Sequence, residues 1–142
     1  VPSEPPALRT PPGLRTPAAA DPASPPGYGG PPRVRDLASH QGTVWPWLLG
    51  GYWLAVLRLG GFDAASRAAV ADDLAALAPA LREGCIGQLP EIYDGGAPGV
   101  SRGCFAQAWS VGEVLRVCEA LERPQAAGFA GTWVQEAETQ DA

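Results

Sequence analysis

Eleven of the sixteen prolines in this 142-residue chain lie between residues 1 and 32, in runs that include Pro5-Pro6, Pro11-Pro12, Pro25-Pro26 and Pro31-Pro32. Each ring fixes the backbone φ angle and removes an amide donor, so a dense run cannot sustain a helix interior or a central strand. The density predicts no regular helix or strand in this stretch. Two readings remain open. The stretch is an extended, polyproline-like linker, or it is an irregular strap that docks on a body through Leu14, Tyr28 and the Gly27-Tyr28-Gly29-Gly30 turn.

The remaining residues have enough apolar content for one modest domain and too little length for two: the whole chain is 46% hydrophobic and 18% charged. The chain starts at Val1 and has no methionine, which reads as a fragment or a processed product. Its net charge is −5 and all ten basic residues are arginines spread along the sequence. No basic patch for a phosphate backbone is formed, so nucleic acid is not an expected partner. Cys85, Cys104 and Cys118 form no close pair, and their odd number argues against a disulfide framework; a reducing, cytoplasmic setting is expected. His40 is the sole histidine, so a zinc site lacks ligands, and neither a metal nor another cofactor is expected. The longest apolar run, Val44 to Leu57, is broken by Pro46, Gly50 and Gly51 and falls short of the roughly 20 residues that cross a bilayer. No membrane association and no signal peptide are expected.

After residue 40 the pattern is helical. Thr43 is placed to N-cap a helix with Pro46 in its first turn, and Trp47 to Leu59 is apolar on every side, which predicts an interior position. Gly60-Gly61 ends it. Asp63 caps a second helix running to about Arg82, with Val70, Leu74, Leu77 and Leu81 on one face and a local kink or end at Pro79. A third helix is expected from Gly103 or Cys104 to about Glu122, stopped by Pro124, with Phe105, Trp109, Leu115 and Cys118 on an inward face. Short connections make successive helices alternate in direction, so the loops before the first and third should open on the same side. No strand pattern is visible after residue 44. The expectation is an all-α body of about three long helices, residues 40–122, between a proline-rich irregular lead-in, 1–39, and a divergent tail, 123–142.

Two loops offer chemistry. In HQGTVWPW, the polar side chains of His40 and Gln41 stand beside Trp45 and Trp47, a combination that suits sugars: indole faces stack on pyranose rings, while imidazole and amide groups bond hydroxyls. A lone histidine is also commonly a satisfied structural group, and Trp47 and Trp53 read as core. In GQLPEIYDGGAPGVSRGCFAQAWS, Glu91 sits between Pro90 and Ile92 with Tyr93 and Asp94 next to it. A rigid, partly desolvated position raises a carboxylate's basicity, as a general base requires; an ordinary surface carboxylate is the alternative. Asp94 before Gly95-Gly96 is a turn former or a substrate contact. Arg102 bonds substrate hydroxyls or pairs with Asp94 or Glu91, and Gln107 and Trp109 face either the pocket or the core.

HQGTVWPWLLG, followed after a helix by LREGCIGQLPEIYDG and RGCFAQAWSVGEVLR, resembles the C-terminal part of the amylo-alpha-1,6-glucosidase domain of bacterial and archaeal glycogen debranching enzymes. LRTPPGLRT and YGGPPRVRD are similar to the segment leading into the first motif, so the resemblance spans residues 8 to 121 and shifts the proline-rich part toward ordered irregular structure. It implies part of an (α/α)6 toroid with the active site in loops at one end of the inner ring. It also implies inverting hydrolysis of the α-1,6-linked glucose at a branch point of glycogen or another branched α-glucan. By its place in the QLPE motif Glu91 becomes the general base, with His40, Gln41, Trp45, Tyr93, Asp94 and Arg102 holding the sugar. The general acid then lies in an earlier, missing N-terminal part of the same polypeptide, and the isolated chain is expected to be inactive. Ser39 stands where the family commonly has tyrosine, and Gly96 and Gly99 where it has an acidic residue and a histidine, which removes polar groups from the substrate side. The competing expectations are a trehalase-like α-glucosidase and a non-catalytic carbohydrate-binding fragment.

Overall fold

A computed structural model describes residues 8–18, 21–22 and 27–123. The expected tail from residue 124 on lies outside them, as do the runs at Pro5-Pro6 and Pro25-Pro26. The expectation of an all-α, partial (α/α)6 body with three long helices is overturned. Among the described residues there are four α-helices and a five-stranded antiparallel sheet in the order β1-β2-β3-β4-β5. The strands are Arg9–Thr10, Gly13–Arg15, Val44–Trp45, Ile92–Tyr93 and Ser101–Arg102. Strands of two or three residues are too short to display the alternation that marks a strand in sequence.

The proline-rich lead-in is ordered where it is described, and it does contain regular structure. Pro11 and Pro12 form the turn between β1 and β2, where no amide is needed for a ladder, and Thr10 Oγ1 donates to the Gly13 carbonyl at 2.7 Å. Gly13 is there because a Cβ would lie 2.7 Å from the Trp45 carbonyl group and from Val44 Cγ1. Helix α1, Pro32–His40, begins with Pro32 in the first turn, where a missing amide costs nothing. Thr43 does not cap the next helix. Its hydroxyl donates to the carbonyls of Ala38 and Ser39, at 3.2 and 2.9 Å, and so closes the C-terminal end of α1.

Helix α2, Leu48–Leu59, follows the buried Pro46 and stops at Gly60. Its interior face is Leu49, Trp53 and Leu57; Leu59 is 70% exposed, so the helix is not enclosed on every side. Helix α3, Ala64–Leu77, starts where Asp63 Oδ1 accepts the Ser66 amide at 2.7 Å. At Pro79, as the missing donor requires, it tightens into a 3-10 segment, Ala78–Arg82. Helix α4, Ala108–Glu122, begins some residues later than expected, because Gly103 adopts φ +67° and residues 103–107 form an irregular turn.

The core joins Leu49, Trp53 and Leu57 of α2 to Val70 and Leu77 of α3, Val117 of α4, and Val44, Leu89 and Tyr93 around the sheet. Gly50 allows α2 to approach α4, since the Glu113 side chain occupies the place a Cβ would take. Arg67 donates to the Leu121 carbonyl and ties α3 to α4. Phe105, Trp109 and Leu115, expected on an inward face, are 65%, 46% and 62% exposed.

Candidate active site

The segment before β4 is held from both sides. Leu89 and Pro90 are fully buried, the Gln107 amide donates to the Leu89 carbonyl at 2.8 Å, and the buried Ser110 hydroxyl donates to the Pro90 carbonyl at 2.9 Å. Glu91 comes next. Its amide donates to the Cys104 carbonyl at 2.8 Å, and its Oε2 accepts the Cys104 amide at 2.9 Å. The half-buried carboxylate therefore has one oxygen fixed, while Oε1 has no hydrogen-bond partner among the described residues. Gly103 makes this possible: a Cβ there would stand against Glu91 Oε2 and 3.1 Å from Glu91 Cβ.

The sheet register brings the other loop alongside. Val44 is paired with Tyr93 in antiparallel sense, so moving from Val44 through Trp45 toward Pro46 parallels moving from Tyr93 back through Ile92 to Glu91. Trp45 and Trp47 thus flank the stretch opposite Glu91. Trp109, adjacent to the Ser110 that holds Pro90, completes an aromatic cluster. Its ring centroid is 6.0 Å from that of Trp45, edge-on at 68°, and 5.8 Å from that of Trp47 at a tilt of 30°. Trp45 Nε1 donates to the Ser39 carbonyl at 2.9 Å, which fixes that ring. Trp47, expected in the core, is 36% exposed and rests on Trp109; Trp53 is a core residue as expected.

The remaining candidates lie elsewhere. His40 ends α1 with its side chain largely exposed, 4.0 Å from Asp36, and Gln41 follows it. Both are toward the Gly42–Gly95 end of the register, away from Glu91. Asp94 is buried, accepts the Tyr28 amide at 2.7 Å and receives Arg102 Nε at 2.9 Å. Arg102 thus pairs with Asp94 rather than with Glu91. Tyr93 is buried, and both it and Glu83 line one cleft. Burial, and then the charge of Glu83, push this phenol well above its ordinary range. Tyr93 and Asp94 line a cleft of about 490 Å³ that neither Glu91 nor Trp45 borders.

Of the sequence candidates, Trp45 lies on the strand paired with the one that Glu91 leads into, and its ring meets Trp109, as does that of Trp47. In sequence, Trp47 reads as core and Trp109 faces either the pocket or the core. A usable signal was present, because Pro46 at the helix start leaves the flanking indoles no helix face to pack on. A carboxylate held at one oxygen and free at the other can take a proton from water, and indole faces fit a sugar ring. Among the described residues no group of three or more His, Cys, Asp or Glu could hold a metal ion, and no helix is long and apolar enough to cross a membrane. All three cysteines are free thiols.

Compared with known proteins, residues 3–116 match the model of the family described as amylo-alpha-1,6-glucosidase. No curated protein and no solved structure matches the chain.

Proposed function

We propose, on the premise that this chain belongs to the amylo-alpha-1,6-glucosidase family, that it carries the water-activating side of a site that hydrolyses α-1,6-linked glucose from a branched α-glucan. The observation that carries this reading is the Glu91 carboxylate, pinned through Oε2 to the Cys104 amide, with tryptophans clustered on the strand paired with the one it leads into and on the helix that follows. Glu91 acts as general base on a water, which attacks the anomeric carbon as a second carboxyl group protonates the departing glycosidic oxygen. The product has inverted configuration. Asp94 is unsuited to be that acid, because the Tyr28 amide and Arg102 occupy its oxygens. The acid is supplied by a carboxyl group outside the described residues. The indoles hold the glucosyl ring by stacking.

In the complete gene product, Glu91→Gln should cut glucose release from a branched dextrin by roughly 10²- to 10⁴-fold, the range for losing a general base, while dextrin binding is kept. Unchanged turnover would sink the assignment. The exposed tryptophan cluster also favours a second reading, a carbohydrate-binding module without hydrolysis; retained binding with no glucose release from the unaltered protein would select it.

A further inference from the structure

Ser110 is fully buried and has one hydroxyl to place. A serine near the start of a helix ordinarily bonds a backbone group of its own helix or cap. This one, in the first turn of α4, instead donates to the Pro90 carbonyl, 20 residues earlier in the chain, at 2.9 Å. That carbonyl belongs to the same peptide unit as the Glu91 amide, which donates to the Cys104 carbonyl at 2.8 Å. Both polar atoms of the unit are therefore held, by two separate segments. The Pro90 ring fixes the φ angle just before it, so the two bonds set the peptide plane from which the Glu91 side chain departs. No other donor reaches the Pro90 carbonyl among the described residues.

We propose, resting on the reading of Glu91 as general base given above, that Ser110 is a positioning residue for the hydrolysis. Its hydroxyl sets the tilt of the Pro90-Glu91 peptide plane and, through it, the direction in which the carboxylate presents Oε1 to water. The seating of the segment does not depend on this bond, because Leu89 and Pro90 are themselves buried and the Gln107 amide holds the Leu89 carbonyl at 2.8 Å. Removing the hydroxyl leaves the segment docked and releases one peptide plane. A general base must lie within hydrogen-bond reach of the proton it takes, and a misplacement of about 1 Å costs about 100-fold in rate. Trp109 precedes Ser110 on α4, so the helix that carries one indole of the aromatic cluster also aims the base.

In the complete gene product, Ser110→Ala should lower kcat on branched dextrin by roughly 10- to 100-fold while KM changes by less than about twofold. It also leaves a buried carbonyl without a donor and lowers the thermal midpoint, so Val70→Ala, a cavity in α3, is the control that loses stability and keeps kcat. Ser110→Cys fills the same space with a weaker donor and should give an intermediate kcat, so the test does not hinge on Ser110→Ala folding. A double-mutant cycle decides between positioning and mere structure: in a Glu91→Gln background Ser110→Ala should cost nothing further, because its effect passes through the carboxylate. Wild-type kcat in both Ser110 variants, or the full loss repeated in Glu91→Gln, overturns the proposal and leaves the assignment of Glu91 standing. Unchanged turnover in Glu91→Gln alone removes the base and this proposal with it.

Discussion

Gly103 decides whether the Glu91 carboxylate has a defined position. Its φ of +67° is a conformation that side chains resist, and the space over its Cα is filled by Glu91 itself. Gly103→Ala therefore adds about 1–2 kcal/mol of backbone strain and a steric push on the proposed base. The expected outcome in the complete gene product is a lower thermal midpoint, a clear fall in kcat and a nearly constant KM, since the tryptophan cluster is untouched. Steady-state kinetics on branched dextrin checks this, and a wild-type kcat would separate Gly103 from the chemistry. The same residue-scale logic explains Asp94. Glycine neighbours and a turn context made a turn former or a substrate contact equally plausible in sequence; in the fold its two oxygens hold Tyr28 and Arg102.

At the scale of elements, α3 was the most legible part of the chain. Gly60-Gly61, the Asp63 cap, the spacing of Val70 and Leu77, and Pro79 each acted locally, and each appears in the fold. The cap also sets a pH response. Hydrogen bonds from the backbone and side chain of Ser66 hold the Asp63 carboxyl below its ordinary value of 3.8. A depressed folded-state pKa means the contribution is fully present above 3.8 and is lost as pH falls through the lowered value. Asp63→Asn keeps an oxygen acceptor that does not titrate, so its melting temperature should depend less on pH below 3.8 than that of the unaltered chain. Parallel acid limbs in the two melting series would refute the assignment. The sheet was illegible for the opposite reason. Two-residue strands leave no period to read, and the pairing of Val44 with Tyr93 depends on chain segments far apart in sequence. The tryptophan cluster shares this origin: Trp47 and Trp109 look like core residues until the register places them at a surface.

Across the whole molecule, helices built from neighbouring residues carry the bulk, and a small sheet gathers pieces from Arg9 to Arg102. Glu91 immediately precedes the strand whose Tyr93 pairs with Val44, and that pair also lines the cleft of about 490 Å³. This arrangement has a consequence for the order in which the chain acquires its structure. Contacts near in sequence form early, whereas joining β2 to β3 and β3 to β4 requires the closure of long loops. The helices should become protected first and the sheet last, so the proposed sugar site would come into being only in the final folding step. Pulse-labelled hydrogen exchange during refolding should find α2 and α3 amides protected before that of Thr16, which bonds the Thr43 carbonyl; simultaneous protection would refute that order. A chain interrupted before that step would hold its helices and have no place for a sugar.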